Sequence, residues 1–153
     1  MKTWTNRDKS EWPDGPWDDE ADKYQWIDDA TGLDCLIVRG PAGALCGYVG
    51  VPESHSLFDV EYMDTYEKFI DLNAHGGITF SSRCDPGEAE GENICHTGEV
   101  TNATVWWFGF DCAHSGDLIP AYDWTFEGNN IYRKVPYVTE EVTSLASQLK
   151  EAA

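Results

Sequence analysis

The clearest alternation of apolar and polar positions lies at the C-terminal end. Val138, Val142, Leu145 and Leu149 recur at i, i+4, i+7 and i+11, one face of a 3.6-residue repeat. This pattern predicts an amphipathic helix over 136–151. Pro136 suits its first turn, and Glu140 and Glu141 suit the positive end of the helix dipole.

Upstream, the apolar runs are short and punctuated, as β-strands are. Val105-Trp106-Trp107-Phe108-Gly109-Phe110 is apolar at both parities, which predicts a strand buried on both faces. Adjacent strand residues point to opposite faces, so at least one of Trp106 and Trp107 belongs to the core. Cys35–Arg39 and Ala44–Val51 are two further runs. The turn Gly40-Pro41-Ala42-Gly43 between them makes a hairpin. Gly77–Phe80 reads as another strand. Residues 58–72 are ambiguous, because Tyr62, Tyr66, Phe69 and Ile70 also fit a helical stripe. Residues 85–93 read as an exposed acidic loop.

Residues 1–30 read as an irregular, aromatic-rich arm. Trp4, Trp12, Trp17 and Trp26 stand among acids, and Pro13 and Pro16 forbid a continuous helix. Four exposed indoles would be an aggregation liability, so the arm is expected to wrap on the body or on a second subunit. Helix packed on sheet gives an α+β fold with an antiparallel or mixed sheet. The organisation is a single domain: a wrapping arm (1–30), a mainly β body (31–135) and a C-terminal packing helix (136–151).

Composition supports a real core. A chain of 153 residues is long enough for one domain and buries roughly 70% of its unfolded surface. Charge changes the picture more. The 28 acids against 10 bases give a formal net charge of -18, which repels phosphate arrays and excludes an ordinary nucleic-acid binder. It leaves a basic partner protein, a bound cation, imitation of DNA, or simple solubility. Residues 1–34 hold ten acids and no apolar signal core, and no run approaches the roughly 20 apolar residues of a membrane helix. A cytoplasmic location is therefore expected. In such a reducing compartment, none of Cys35, Cys46, Cys84, Cys95 and Cys112 is expected to form a disulfide.

The densest polar cluster, Asp111-Cys112-Ala113-His114-Ser115-Gly116-Asp117, follows the strongest strand. Strand ends are where rigid scaffolds carry functional groups. Asp111, His114 and Asp117 are three apart, so one helical turn would put them on one face. His75-Gly76-Gly77 and Cys95-His96 are further polar points. Three readings stay open. His75, His96 and His114 are zinc-ligand types, but their spacing matches no compact zinc signature, and no metal or cofactor is assigned. His114 with Asp111 or Asp117, together with His75, suits general acid–base catalysis. The same residues also suit plain hydrogen-bonding of loops onto a sheet. A Cys112–His114 nucleophile has poor expected geometry, and neither a phosphate-binding Gly-rich loop nor a nucleophile elbow is present.

Several segments together resemble a family of small tailed-phage accessory proteins. They are Trp12-Pro13-Asp14-Gly15-Pro16-Trp17, Leu45-Cys46-Gly47-Tyr48-Val49-Gly50-Val51, His75-Gly76-Gly77-Ile78-Thr79-Phe80 and Trp106-Trp107-Phe108-Gly109-Phe110-Asp111-Cys112-Ala113-His114. The resemblance spans nearly the whole chain and carries no catalytic residues to transfer. It implies a phage protein that counters host defence in the infected cell. Such proteins sequester nucleotide immune signals such as cyclic dinucleotides or ADP-ribose derivatives, cleave them, or bind a host defence protein. On that implication the expected partner is a small nucleotide-like ligand, held by a homo-oligomer. Arg39, Arg83 and Arg133 would neutralise phosphates, Trp107 would stack a base, and His75, His96 and His114 would line the pocket. In the cleaving alternative, His75, His114, Asp111 and Asp117 are the catalytic set.

Overall fold

The computed structural model describes residues 1–62, 71–84, 89–96 and 104–153. Its centre is a six-stranded sheet: β1 (Lys2–Trp4), β2 (Lys23–Ile27), β3 (Asp34–Arg39), β4 (Leu45–Pro52), β5 (Phe80–Arg83) and β6 (Val105–Asp111). The order is β1-β2-β3-β4-β6-β5, and every pairing is antiparallel. One helix, α1 (Val135–Ala152), packs on one face. The fold is α+β.

The register explains the core. Cys35 pairs with Val49, Val49 with Phe108, and Val51 with Trp106, so these side chains share the helix face. Val138, Val142, Leu145 and Leu149 are fully buried against them. Each such side chain contributes about 1.5–3 kcal/mol by leaving water. Gly47 lets the helix sit close, since a Cβ there would lie 2.6 Å from Val142 Cγ2. On the other face, Leu36, Val38, Tyr48 and Trp107 form a second cluster, packed by Phe80, Cys84 and Ile94. Trp106 and Trp107 are therefore both core residues, on opposite faces.

The hairpin of β3 and β4 closes as the Gly/Pro turn requires, with Gly43 at φ 101° donating to Gly40 O at 3.0 Å. The next strand starts later than its apolar run suggests. Gly76 and Gly77 both take positive φ, so β5 begins at Phe80 rather than Gly77. The helical stripe through Tyr66, Phe69 and Ile70 falls largely outside the described residues, as do 85–88 of the acidic loop. Within that loop, Gly91 and Asn93 are buried rather than exposed.

The N-terminal arm is not irregular throughout. It contributes both β1 and β2. In β2, Lys23 and Gln25 are buried on one side, while Tyr24 and Trp26 pack toward the helix-side core. A strand that buries a lysine does not show the usual apolar alternation. Asp22 and Arg39 lock this segment down. Arg39 is 1% exposed and donates to Asp22 Oδ1 at 2.8 Å, Glu20 Oε1 at 3.2 Å, Tyr132 Oη at 2.7 Å, and the carbonyls of Gly43 and Ala21. Those five bonds take all five guanidinium N–H groups. Glu20 also accepts from Val135 N at 3.0 Å and so caps the start of α1 from a distance. Because α1 begins at Val135, Glu140 and Glu141 sit beyond its first turn, and Glu20 is the anion at its positive end.

Cys84 and Cys95 form a disulfide, against the expectation of five free thiols. The sequence gives no close Cys pair, but the fold brings their Cα atoms to 5.0 Å. The bridge fastens the cover over the second sheet face. Lys23 Nζ reaches into that cover and donates to Glu90 O, Asn93 Oδ1 and Cys95 O at 2.6, 2.8 and 3.0 Å. Burial brings the Lys23 pKa down to about 8, against the pull of Glu90. The other three cysteines are free. Burial pushes the thiols of Cys35 and Cys112 well up, and that of Cys46 to about 12. None suits nucleophilic work at neutral pH.

Candidate functional site

The polar cluster after β6 folds as a tight turn, not a helix. Gly116 at φ 96° reverses the chain, and Asp117 N donates back to His114 O at 2.9 Å. Asp117 is 2% exposed and organises the cluster. Its carboxylate accepts from His75 Nε2 at 2.8 Å, Arg133 Nε at 2.9 Å and His114 N at 3.0 Å. Burial alone would raise its pKa, but these hydrogen bonds hold it below the ordinary carboxylate value.

His75 arrives from the neighbouring turn. Its Nδ1 lies 2.8 Å from Tyr137 Oη, and Tyr137 Oη lies 3.3 Å from Glu141 Oε1. Two proton arrangements satisfy this chain. With neutral His75, Nε2–H donates to Asp117 and Tyr137 donates to Nδ1. With the imidazolium, Nδ1–H donates to Tyr137 and the phenol donates to Glu141. In both, each ring nitrogen of His75 is held by a protein group.

His114 is placed differently. Its ring lies directly over Gly76, where there is no room for a Cβ, and 6.2 Å from the ring of His75. Nε2 is 3.2 Å from Asp111 Oδ1, close enough for an ion pair but without the alignment of a hydrogen bond. Asp111 also accepts from Ala113 N and from Thr79 Oγ1. His114 is one third exposed and lines a cleft of about 190 Å³ with Ser115, Gly116, Asp117, Trp124 and Asn130.

The wall of that cleft was not apparent from the sequence. Trp124 is 69% exposed and stacks on Tyr122, with ring centroids 6.0 Å apart and planes 11° from parallel. The short turn Asp123–Phe126 carries it. Buried Thr125 fixes the turn by accepting from Ile119 N at 2.9 Å and donating to Tyr122 O at 2.6 Å. From the arm, Trp17 packs edge-on against Phe126 and Tyr132 and braces the segment from below. The one signal for it was three aromatics within five residues, Tyr122 to Phe126, just after Pro120.

The remaining candidates lie elsewhere. His96 is buried on the second sheet face, donates from Nε2 to Cys35 O at 3.1 Å and packs on Trp107. Trp107 is fully enclosed. Arg83 pairs with Asp59 at 3.0 Å and covers Phe58 and Trp106. Arg39 is committed to the arm. Of the predicted set, the fold gathers His75, Asp111, His114, Asp117 and Arg133. Among the described residues, no three metal-ligating side chains are grouped to hold an ion. No described helix is long and apolar enough to cross a membrane.

No protein-family model, curated protein or solved structure matches this chain. The functional reading therefore rests on the site itself.

Proposed function

We propose that the protein binds a small nucleotide-like ligand without cleaving it, seating a planar ring against Trp124 beside His114. The observation that carries this reading is the exposed Trp124 ring, which stacks on Tyr122 and lines the His114 cleft. Exposed tryptophan offers a π-face that any base can stack on, worth about 1–3 kcal/mol. A monomer seldom leaves such a surface unused.

The geometry favours holding over cleaving. Acid–base cleavage would ask His75 and His114 to act as a pair. Both nitrogens of His75 are engaged internally, and Asp117 is spent on orienting the turn. One imidazole, His114, faces the cleft. Given the resemblance to phage accessory proteins, the ligand would be a nucleotide immune signal, and sequestering it in the infected cell's cytoplasm would blunt host defence.

The test is to incubate the protein with cyclic dinucleotides and ADP-ribose derivatives, then chromatograph the small molecules before and after heat denaturation. The expected result is a compound that disappears and returns intact on heating. A new product would replace this reading with the enzymatic one. If every compound stays free, the aromatic face becomes a docking site for a host defence protein.

A further inference from the structure

Lys23 is an enclosed cation whose contacts are neutral. Its side chain is fully buried under the cover of the second sheet face. The ammonium donates to Glu90 O, Asn93 Oδ1 and Cys95 O, and it lies 4.9 Å from the centre of the Trp4 ring. The Glu90 carboxylate acts on it only at longer range. Among the described residues, no acid therefore meets this ammonium at ion-pair distance. Burial brings its pKa down only to about 8, so at neutral pH it stays mostly charged. An enclosed charge of this kind is stabilised when an opposite charge forms beside it.

The residue placed to supply that charge is Cys95. Its carbonyl is one of the three acceptors of Lys23, at 3.0 Å, and it is 3% exposed. Its disulfide partner Cys84 is half-buried, just past the end of the edge strand β5. The two halves of the bridge are thus unlike. One is open to a small reagent, and the other is enclosed beside a fixed cation.

We propose that Cys84–Cys95 is an exchangeable bridge, in which a small thiol of the glutathione class attacks Cys84 and Cys95 leaves as a thiolate held by the Lys23 ammonium. The attacking thiolate forms a new S–S bond to Cys84 Sγ. The old bond breaks, and its electron pair stays on Cys95 Sγ, so one thiolate is consumed and one released. A sulfur departs faster the lower its pKa, and a neighbouring ammonium lowers it. In the cytoplasm proposed above, thiols of this class are at hand, and disulfides there are usually transient or redox-sensing. The modified residue is Cys84, outside the His114 cleft.

The experiment has two parts. The folded, oxidised chain is mixed with reduced glutathione, quenched at early times with N-ethylmaleimide in denaturant, and digested for mass spectrometry. Glutathione is expected on Cys84 and maleimide on Cys95. Glutathione on Cys95, or no reaction short of denaturation, would overturn the proposal. The second part titrates the ultraviolet thiolate absorbance of Cys84→Ser from pH 5 to pH 9. Burial holds Cys35, Cys46 and Cys112 well above that range, so the signal belongs to Cys95. Its midpoint should lie at least one pH unit below the roughly 8.5 of a free thiol, a tenfold gain in acidity. Adding Lys23→Met should remove that gain, and Lys23→Arg should keep it. If Lys23→Met does not fold, Cys84→Ser decides alone, and a Cys95 midpoint at or above about 8.5 sinks the proposal.

Discussion

His75 donates from Nε2 to the enclosed carboxylate of Asp117 at 2.8 Å, and that carboxylate also receives the backbone N–H of His114. A single acid thus positions both histidines of the site. Its folded pKa lies below its unfolded value of 3.8. An acid shifted in that direction contributes stability that is fully present above pH 3.8 and is lost as pH falls through the folded value. Asp117→Asn should cost about 2–3 kcal/mol near pH 5, because it weakens a buried, charge-assisted set of bonds. Urea unfolding of both proteins from pH 5 to pH 2 should show the gap closing below pH 3.8. A gap that stays constant would mean that folding does not shift the pKa of this carboxylate.

Arg39 and Asp22 hold the arm to the sheet. Both are about 1% exposed, and Asp22 also accepts from Lys9 and from the backbone of Asn6 and Arg7. Removing Arg39 takes the buried cation from both Asp22, which keeps Lys9, and Glu20. Arg39→Met should therefore lose about 3–5 kcal/mol in denaturant unfolding. It should also raise proteolysis between residues 5 and 22, since Glu20 and Asp22 lose their shared cation. Unchanged protease resistance would contradict this role.

The Cys84–Cys95 bond closes a short loop over the Lys23 ammonium, with a sequence separation of 11. A loop of that length gives about 3 kcal/mol through the unfolded chain. The double variant Cys84→Ser/Cys95→Ser should fall by that amount. Thiol titration of the unfolded, unreduced protein should count three free cysteines, rising to five after reduction. Five thiols without reductant would show that the bridge is not formed.

The helix and the two central strands were legible because their burial is apolar. Val138, Val142, Leu145 and Leu149 keep one period, and β6 is apolar at both parities. What escaped is buried polarity. Lys23 and Gln25 hide in β2 among residues that look solvated, and the partners of the Lys23 ammonium lie about 70 residues away, in the stapled cover. Cys84 and Cys95 meet through sheet topology, which no local spacing encodes. In the site, the residue types at 75, 111, 114, 117 and 133 marked the cluster. The roles did not follow, because only the fold shows both nitrogens of His75 occupied and Trp124 turned outward.

Trp124 separates binding from folding. It is more exposed than the other aromatics of its segment, Tyr122 and Phe126, at 44% and 37%. Surface substitutions away from buried features change stability by about 0.5 kcal/mol or less, so Trp124→Ala should unfold at nearly the wild-type denaturant midpoint. Losing the stacking plane should weaken the ligand by roughly 5- to 150-fold, the equivalent of about 1–3 kcal/mol. Thr125→Ala makes the contrast. It leaves the indole in place but removes the hydroxyl that ties the turn to Ile119 and Tyr122, so it should lower stability and binding together. If Trp124→Ala destabilises the fold as much as Thr125→Ala does, the indole is a packing residue and the plate is not a binding surface.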